Sequence, residues 1–424
     1  MSGSYGLFKI AIAFIGLSYY IFKGLWVRIY PPGGIPLSRE DCPELFNEVD
    51  KIARKLRSPK VHYIYITDEF NASIVSVPQF GLFGFYKNYL CVGLPYMWAS
   101  SVEEFRATLA HEIAHLSSKH GRSGVLIYRV RETWERILLQ LEEKKHWGNF
   151  IFKWFFKRYI PFFDAYSSVY RRLAEHEADK LAAQLVGVNV YTSMLINTSS
   201  KLTALNEDFW KEIYKRNKFQ FKPPKDVFTR LEALLKKGLD YNKLCMYLNE
   251  NMEYKTNMGD THPCLRDRIE VIGGEVKEPT IVENDAASHY LSNKFLDELS
   301  YIFSRHWYDE VGNTWSKRYS NFKRYKIRLK ELEMYGKENL DIDGLYRYAY
   351  YTHRIKGAEE AIPIYREILY LNEKHIKANY GLGKALMSKN NNEDLVYLER
   401  TINISEKYLD ETYVKCYINA CRHF

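Results

Sequence analysis

At 424 residues, with 46% hydrophobic and 27% charged side chains, the chain is long enough for two packed units and too apolar to stay disordered. Its net charge of +9 is spread out, with Lys and Arg alternating with Asp and Glu and forming no concentrated basic arm; this argues against nucleic acid and leaves anionic lipid as the more economical partner. Six scattered cysteines (Cys42, Cys91, Cys245, Cys264, Cys416 and Cys421) lack the paired spacing of a thiolate zinc site and read as reduced, mostly buried residues.

From Leu7 to Tyr30 the chain is apolar apart from Lys9, Lys23 and Arg28, and Ile10 to Phe22 holds no charge. The stretch predicts a single-pass membrane anchor over residues 1–30 in contact with lipid. Lys9 and Lys23 would snorkel to the headgroups, because the uncharged core is shorter than the about 20 residues a span needs. Positive charge is denser after this run (Lys23, Arg28, Arg39) than before it, which places the following domain on the cytoplasmic side. Pro31-Pro32-Gly33-Gly34 then ends the helix.

Residues 43–57 predict an amphipathic helix, and 61–67, 71–77 and 89–92 predict strands around a Gly-rich link at 81–84. A further helix opens at Ser101, whose side chain forms a capping box with Glu104, and is expected to run to Gly121. Helical patterning continues to about Lys145. The aromatic-basic stretch 150–163 that follows reads equally as an interfacial helix on a membrane or as a packed helix under the active site. Residues 276–288 are expected to link a domain at 31–275 to a helical one at 289–424. Within the latter, Ala349, Ala361 and Ile368 recur as Gly383, Leu395 and Ile402, at the 34-residue period of tetratricopeptide helix pairs that recruit protein partners. The fold class is therefore mainly α with a small β-sheet.

Chemistry concentrates in His111-Glu112-Ile113-Ala114-His115. Residues four apart on a helix share a face, so both imidazoles can reach one zinc ion while Glu112 points at the same locality. Phe105, Leu109, Ile113 and Leu116 form an apolar stripe that buries this helix, and half-buried unpaired histidines need a reason to exist. A catalytic zinc takes three protein ligands and leaves a position for water. His120 falls one residue short of the metzincin spacing, whereas Glu175 lies one helical turn from Asp179, so one carboxylate can bind metal and the other can accept the outer N–H of a ligating histidine.

His111 to His115, followed by Glu175-x-x-Ala178-Asp179 and then by Thr261-His262-Pro263 with Arg268-Ile269, resembles the HtpX and CAAX-prenyl endopeptidase family of gluzincin peptidases. That resemblance implies a helical metallopeptidase core with a small sheet whose edge strand receives a polypeptide substrate. It implies one zinc per chain on His111, His115 and Glu175, with Glu112 as general base and Asp179 supporting a ligand. It also implies His262 and Arg268 in the cleft, stabilising the oxyanion or gating the site, and Asn71 and Ala72 at the substrate strand. The helical C-terminal region is similar to the tetratricopeptide tails of some bacterial members. A competing expectation is an inactive membrane-bound tetratricopeptide adaptor whose zinc is structural, closed by a fourth ligand such as His262 or His120. A zinc hydrolase acting on a non-peptide amide would share every ligand.

Overall fold

The computed structural model describes residues 30–79, 85–117, 149–256, 262–387 and 393–404, together with Ile15 and Asp260. The chain divides into two compact units, one comprising 1–208 and 226–303 and the other 209–225 and 304–424. As expected, the fold is mainly α with a small sheet.

In the first unit, β1 (Ile35–Pro36) is followed by α1 (Pro43–Lys55), whose buried Leu45, Val49 and Ile52 recur at helical spacing. The strands β2 (Tyr63–Thr67), β3 (Ala72–Pro78) and β4 (Tyr86–Gly93) complete a sheet of order β1-β2-β4-β3, with β2 parallel and β3 antiparallel to β4. β3 is therefore an edge strand. Its Asn71 end is held where the Gly93 amide donates to the Asn71 carbonyl at 2.8 Å. A side chain at Gly93 would meet the Glu69 carbonyl oxygen at 1.7 Å, so only glycine permits this close approach.

The helices α2 (Leu94–Ala99) and α3 (Val102–Ala114) follow directly. Ser101 caps α3 as expected: its hydroxyl accepts from the Glu104 amide at 3.2 Å, and Glu104 Oε2 accepts from the Ser101 amide at 3.1 Å. The other Glu104 oxygen accepts from Ser193 Oγ at 2.9 Å and from Asn197 Nδ2, which ties the start of α3 to α5 (Val188–Ala204). Between them runs α4 (Asn149–Val186), which includes the aromatic-basic stretch 150–163. Gly187, at φ +94°, lets the chain turn from α4 into α5. The unit is completed by α6 (Val227–Lys237), α7 (Tyr241–Glu253), α8 (Leu265–Val271) and α9 (Ala286–Tyr290). Residues 276–288 run along it: the Thr280 amide donates to Asn197 Oδ1 at 2.8 Å and the Ala286 amide to the Ser100 carbonyl at 2.9 Å.

The long helix α10 (Asn293–Tyr335) contributes residues to both units. In the second unit, α11 (Ile342–Ile355), α12 (Ala358–Leu371), α13 (Ile376–Met387) and α14 (Asp394–Ile404) pack in succession around Ala349, Ala361, Ile368, Ala378 and Leu382. Gly381 lies against the Tyr365 ring, and a Cβ there would be only 2.7 Å from it. Between Lys317 and Lys330, α10 exposes seven Lys and Arg residues with no carboxylate before Glu331, a local concentration of charge that an even-spread description misses.

Among the described residues no helix is long and apolar enough to cross a membrane, which overturns the single-pass anchor expected at residues 1–30 and the lipid contact and cytoplasmic placement that depended on it. The physical weakness of that expectation is its uncharged run, bounded by Lys9 and Lys23 and shorter than the about 20 residues that span a bilayer. Apart from Ile15 and Tyr30 the segment lies outside the described residues, as do Gly121, the pattern up to Lys145, Cys416 and Cys421. Among the described residues Cys42, Cys91, Cys245 and Cys264 are not in disulfides, and all but Cys245 are buried.

The capping network makes a stability prediction. Ser101→Ala should lower unfolding free energy by about 1 kcal/mol. Glu104→Ala should cost roughly 1–3 kcal/mol more, because it also removes the acceptor shared by Ser193 and Asn197. Urea midpoints of the two variants measure the difference, and equal midpoints would show that the link to α5 contributes nothing.

Candidate functional site

His111 and Glu112 lie in the last turn of α3, with His115 at its C-terminal boundary, and Glu175 and Asp179 lie one turn apart on α4. The apolar stripe of α3 is fully packed, with Phe105, Leu109 and Ile113 inaccessible, so the helix is held rigidly and its polar face is held with it. Two imidazoles and one carboxylate converge there. His111 Nε2 and His115 Nε2 stand 3.2 Å apart. Glu175 closes the triangle, its Oε2 lying 3.5 Å from His111 Nε2 and its Oε1 3.5 Å from His115 Nε2.

These separations can be tested against a metal. Tetrahedral bonds of about 2.0–2.2 Å to nitrogen and oxygen place ligand atoms roughly 3.3–3.6 Å apart. The triangle has edges of that size, so the donor set fits a zinc-sized ion. Among the described residues, His111, Glu175 and His262 also bring ligand atoms within 4.8 Å of one another. However, His262 Nδ1 lies 2.6 Å from Glu175 Oε2, a hydrogen-bond distance shorter than two ligands of one ion keep. His120 lies outside the described residues.

Asp179 is completely buried and organises the far side of His111. Its Oδ1 accepts from Tyr191 Oη at 2.7 Å and from Arg268 Nη2 at 2.7 Å and lies 3.1 Å from His111 Nδ1, while its Oδ2 accepts from Arg268 Nε at 3.1 Å. Tyr191 Oη also lies 2.8 Å from His111 Nδ1. The acceptors around Nδ1 fix it as the protonated nitrogen, which turns the Nε2 lone pair toward His115 and Glu175. Arg268, on α8, is thus engaged by Asp179 on two of its nitrogens.

Glu112 is buried, and its Oε2 accepts from the Ile74 amide on β3 at 3.1 Å. Side chains and backbone groups alternate along a strand, so the outward-facing backbone of this edge belongs to Ala72, Ile74 and Ser76. Asn71 and Ala72 lie at the start of the same edge, in the wall of a cavity that also reaches His111 and Glu112.

Charge follows this geometry. At His111 burial opposes protonation, but hydrogen bonds to Asp179 and Glu175 overcome it and raise the pKa to about 9. At His115 burial prevails and pushes the pKa down to about 4. Burial raises the Glu112 pKa, with partial relief from His111 and His262. It works in the same direction on Glu175 and Asp179, yet His115, His111 and His262 hold Glu175 well below the usual carboxylate range, and Arg268 with His111 holds Asp179 low. Burial and the surrounding charges thus favour an ionised Glu175, disfavour a proton on His115 and favour one on His111.

Two partners have no counterpart in the motif analysis. Tyr191 carries no spacing signature; the one available hint is that a buried tyrosine hydroxyl needs a partner. The partner of Glu112 is a backbone N–H, which residue identity does not encode.

No curated protein matches the chain. The sequence profile of Peptidase family M48 matches residues 51–276, a stretch that carries His111, Glu112, His115, Glu175, Asp179, His262 and Arg268. With more than half of its length matched, and with the converging histidines and carboxylates inside the match, the chain belongs to peptidase family M48 and is a metallopeptidase acting on polypeptides.

Proposed function

We propose that this metallopeptidase is a zinc endopeptidase of the HtpX and CAAX-prenyl endopeptidase type. In this reading His111, His115 and Glu175 hold one zinc ion, and Glu112 is the general base. The observation that carries it is the triangle of 3.2, 3.5 and 3.5 Å between the two Nε2 atoms and the Glu175 carboxylate. When bound, the ion supplies Lewis acidity toward water and the scissile carbonyl.

Glu112 has one oxygen engaged by the Ile74 amide, which leaves the other to take a proton from water and pass it to the leaving amine. Its raised pKa suits both halves of that transfer. An extended polypeptide would add beside β3, pairing with the outward groups near Asn71 and Ala72. His262, half-exposed at the cleft, engages Glu175 through Nδ1. To donate to a developing oxyanion as well, it must carry protons on both ring nitrogens. Arg268 is occupied by Asp179 and acts through it, which makes Arg268 and Tyr191 positioning residues for His111. In the second unit, the helix starts at Ile342 and Ile376 share the 34-residue phase of a tetratricopeptide repeat, supporting a reading of α11–α14 as tetratricopeptide-like helix pairs that recruit protein partners.

Glu112→Gln should retain zinc and lower kcat by roughly 10²–10⁴-fold; an undiminished kcat on an unfolded protein substrate would remove Glu112 as the base. Glu175→Ala should abolish stoichiometric zinc, and Asp179→Asn should weaken zinc affinity by about 10–100-fold. Metal analysis checks both, and His262→Ala should keep full occupancy; zinc loss in that variant would indicate a closed four-ligand site.

Zinc binding should also release protons. Before ligation His111 keeps its proton up to about pH 9, whereas His115, at about 4, is already neutral. Near neutral pH, binding must expel about one proton, and the number should fall toward zero as pH rises through about 9. Calorimetry in buffers of different ionisation enthalpy gives this count, and a value independent of pH would contradict the His111 network.

A further inference from the structure

We infer that the second unit binds single-stranded nucleic acid on a basic and aromatic surface formed by α10 and the segment 209–225, which belongs to the same unit. Neither Ile213 to Lys225 nor Val311 to Lys330 contains a carboxylate, and they hold five and seven Lys and Arg residues respectively. The two stretches are packed together. Trp315 Nε1 donates to the Gln220 carbonyl at 2.8 Å and Ser316 Oγ to the Phe221 carbonyl at 3.3 Å, while Phe219 and Phe221 make edge-to-face contacts with Phe322 and Tyr319. Both charge runs therefore share one surface, and the even spread that argues against nucleic acid for the chain as a whole does not hold here. Glu212 pairs with Lys215 and Glu331 with Arg328, but among the described residues Lys218, Lys222, Lys317, Lys323 and Lys326 have no carboxylate within ion-pair distance. Concentrated, uncompensated cations attract a polyanion.

The chemistry of the surface chooses among polyanions. A ring adjoins a cation at Lys218-Phe219, at Phe221-Lys222 and again at Phe322-Lys323. A single strand likewise carries a phosphate and a planar base in every nucleotide, whereas an acidic polypeptide offers the charge without the ring. Phe219 and Phe221 are 76% and 50% exposed, so each keeps ring surface open for a base. Lys218 Nζ sits 5.5 Å from the Phe322 ring centroid and Lys323 Nζ 4.8 Å from that of Tyr319, which holds these cations beside the open rings. A flat bilayer fits less well. Lys323 and Lys330 lie roughly 120° around α10 from Lys317, Arg324 and Arg328, so a plane meets one row while a flexible strand can follow both.

Fluorescence anisotropy of the full chain with labelled oligothymidylate and oligouridylate should show saturable binding, and the two probes separate DNA from RNA. The logarithm of the affinity should fall with the logarithm of salt concentration at a slope of about −0.7 for each phosphate neutralised. Lys323→Gln together with Lys326→Gln should make that slope shallower by about 1.4. Phe219→Ala together with Phe221→Ala should leave the slope unchanged and weaken binding about 5–100-fold for each ring lost. All four positions are exposed, so both variants should keep the thermal midpoint of the parent chain. Duplex DNA, whose bases present no open faces, should bind more weakly than either single strand at equal salt. Absence of oligonucleotide binding at low salt, equally tight binding of polyglutamate, or binding confined to vesicles of equimolar phosphatidylserine and phosphatidylcholine overturns the inference. So does oligonucleotide binding that the phenylalanine substitutions leave intact.

Discussion

A carboxylate with no exposure to water is tolerable only when its lone pairs are occupied, and Asp179 meets that condition with partners from three other helices. Arg268 comes from α8, Tyr191 from α5 and His111 from α3, while Asp179 itself is on α4. Removing any one partner would leave a buried charge or dipole unmatched, so the packing of these helices and the orientation of the His111 ring are a single constraint. His111 Nε2 faces His115 and Glu175 because Nδ1 on the other side of the ring is turned to Asp179 and Tyr191.

Glu104 repeats this logic: its buried carboxylate serves both the cap of α3 and the side chains of Ser193 and Asn197 on α5. Asn197 in turn engages Thr280, so a stretch rich in loop-forming residues is held along the first unit. Two buried acids thus anchor α3 at its two ends, one at the cap and one behind the histidines. Rigid placement of His111, Glu112 and His115 follows from that double attachment.

Most of the site is legible in the sequence because its chemistry recurs at fixed helical steps: His111 with His115, Glu175 with Asp179, and Ser101 with Glu104. Tyr191 is not, because it reaches Asp179 only after the chain reverses at Gly187, and no period connects the two. β4 begins at Tyr86, before the apolar run at 89–92, because Asn88 is satisfied by side-chain and backbone bonds to His62 and Lys60 that apolar alternation does not register. The N-terminal apolar run misleads for the opposite reason, since hydropathy without sufficient length does not make a span. Averaging charge over the whole chain likewise conceals the cationic stretch of α10 between Lys317 and Lys330.

The hydrogen bond from the Ile74 amide to Glu112 has a further consequence for how this enzyme would measure its substrate. Under the proposed mechanism, the strand that aligns an incoming polypeptide also fastens the proton acceptor, so the sheet works as a ruler whose zero mark is the base itself. A polypeptide that slips along this edge keeps its side chains on the same faces only in two-residue steps, each about 6.6–6.8 Å long. Each such step brings the peptide bond two residues away to the same tethered carboxylate, so a change of register would move the cut by two residues at a time.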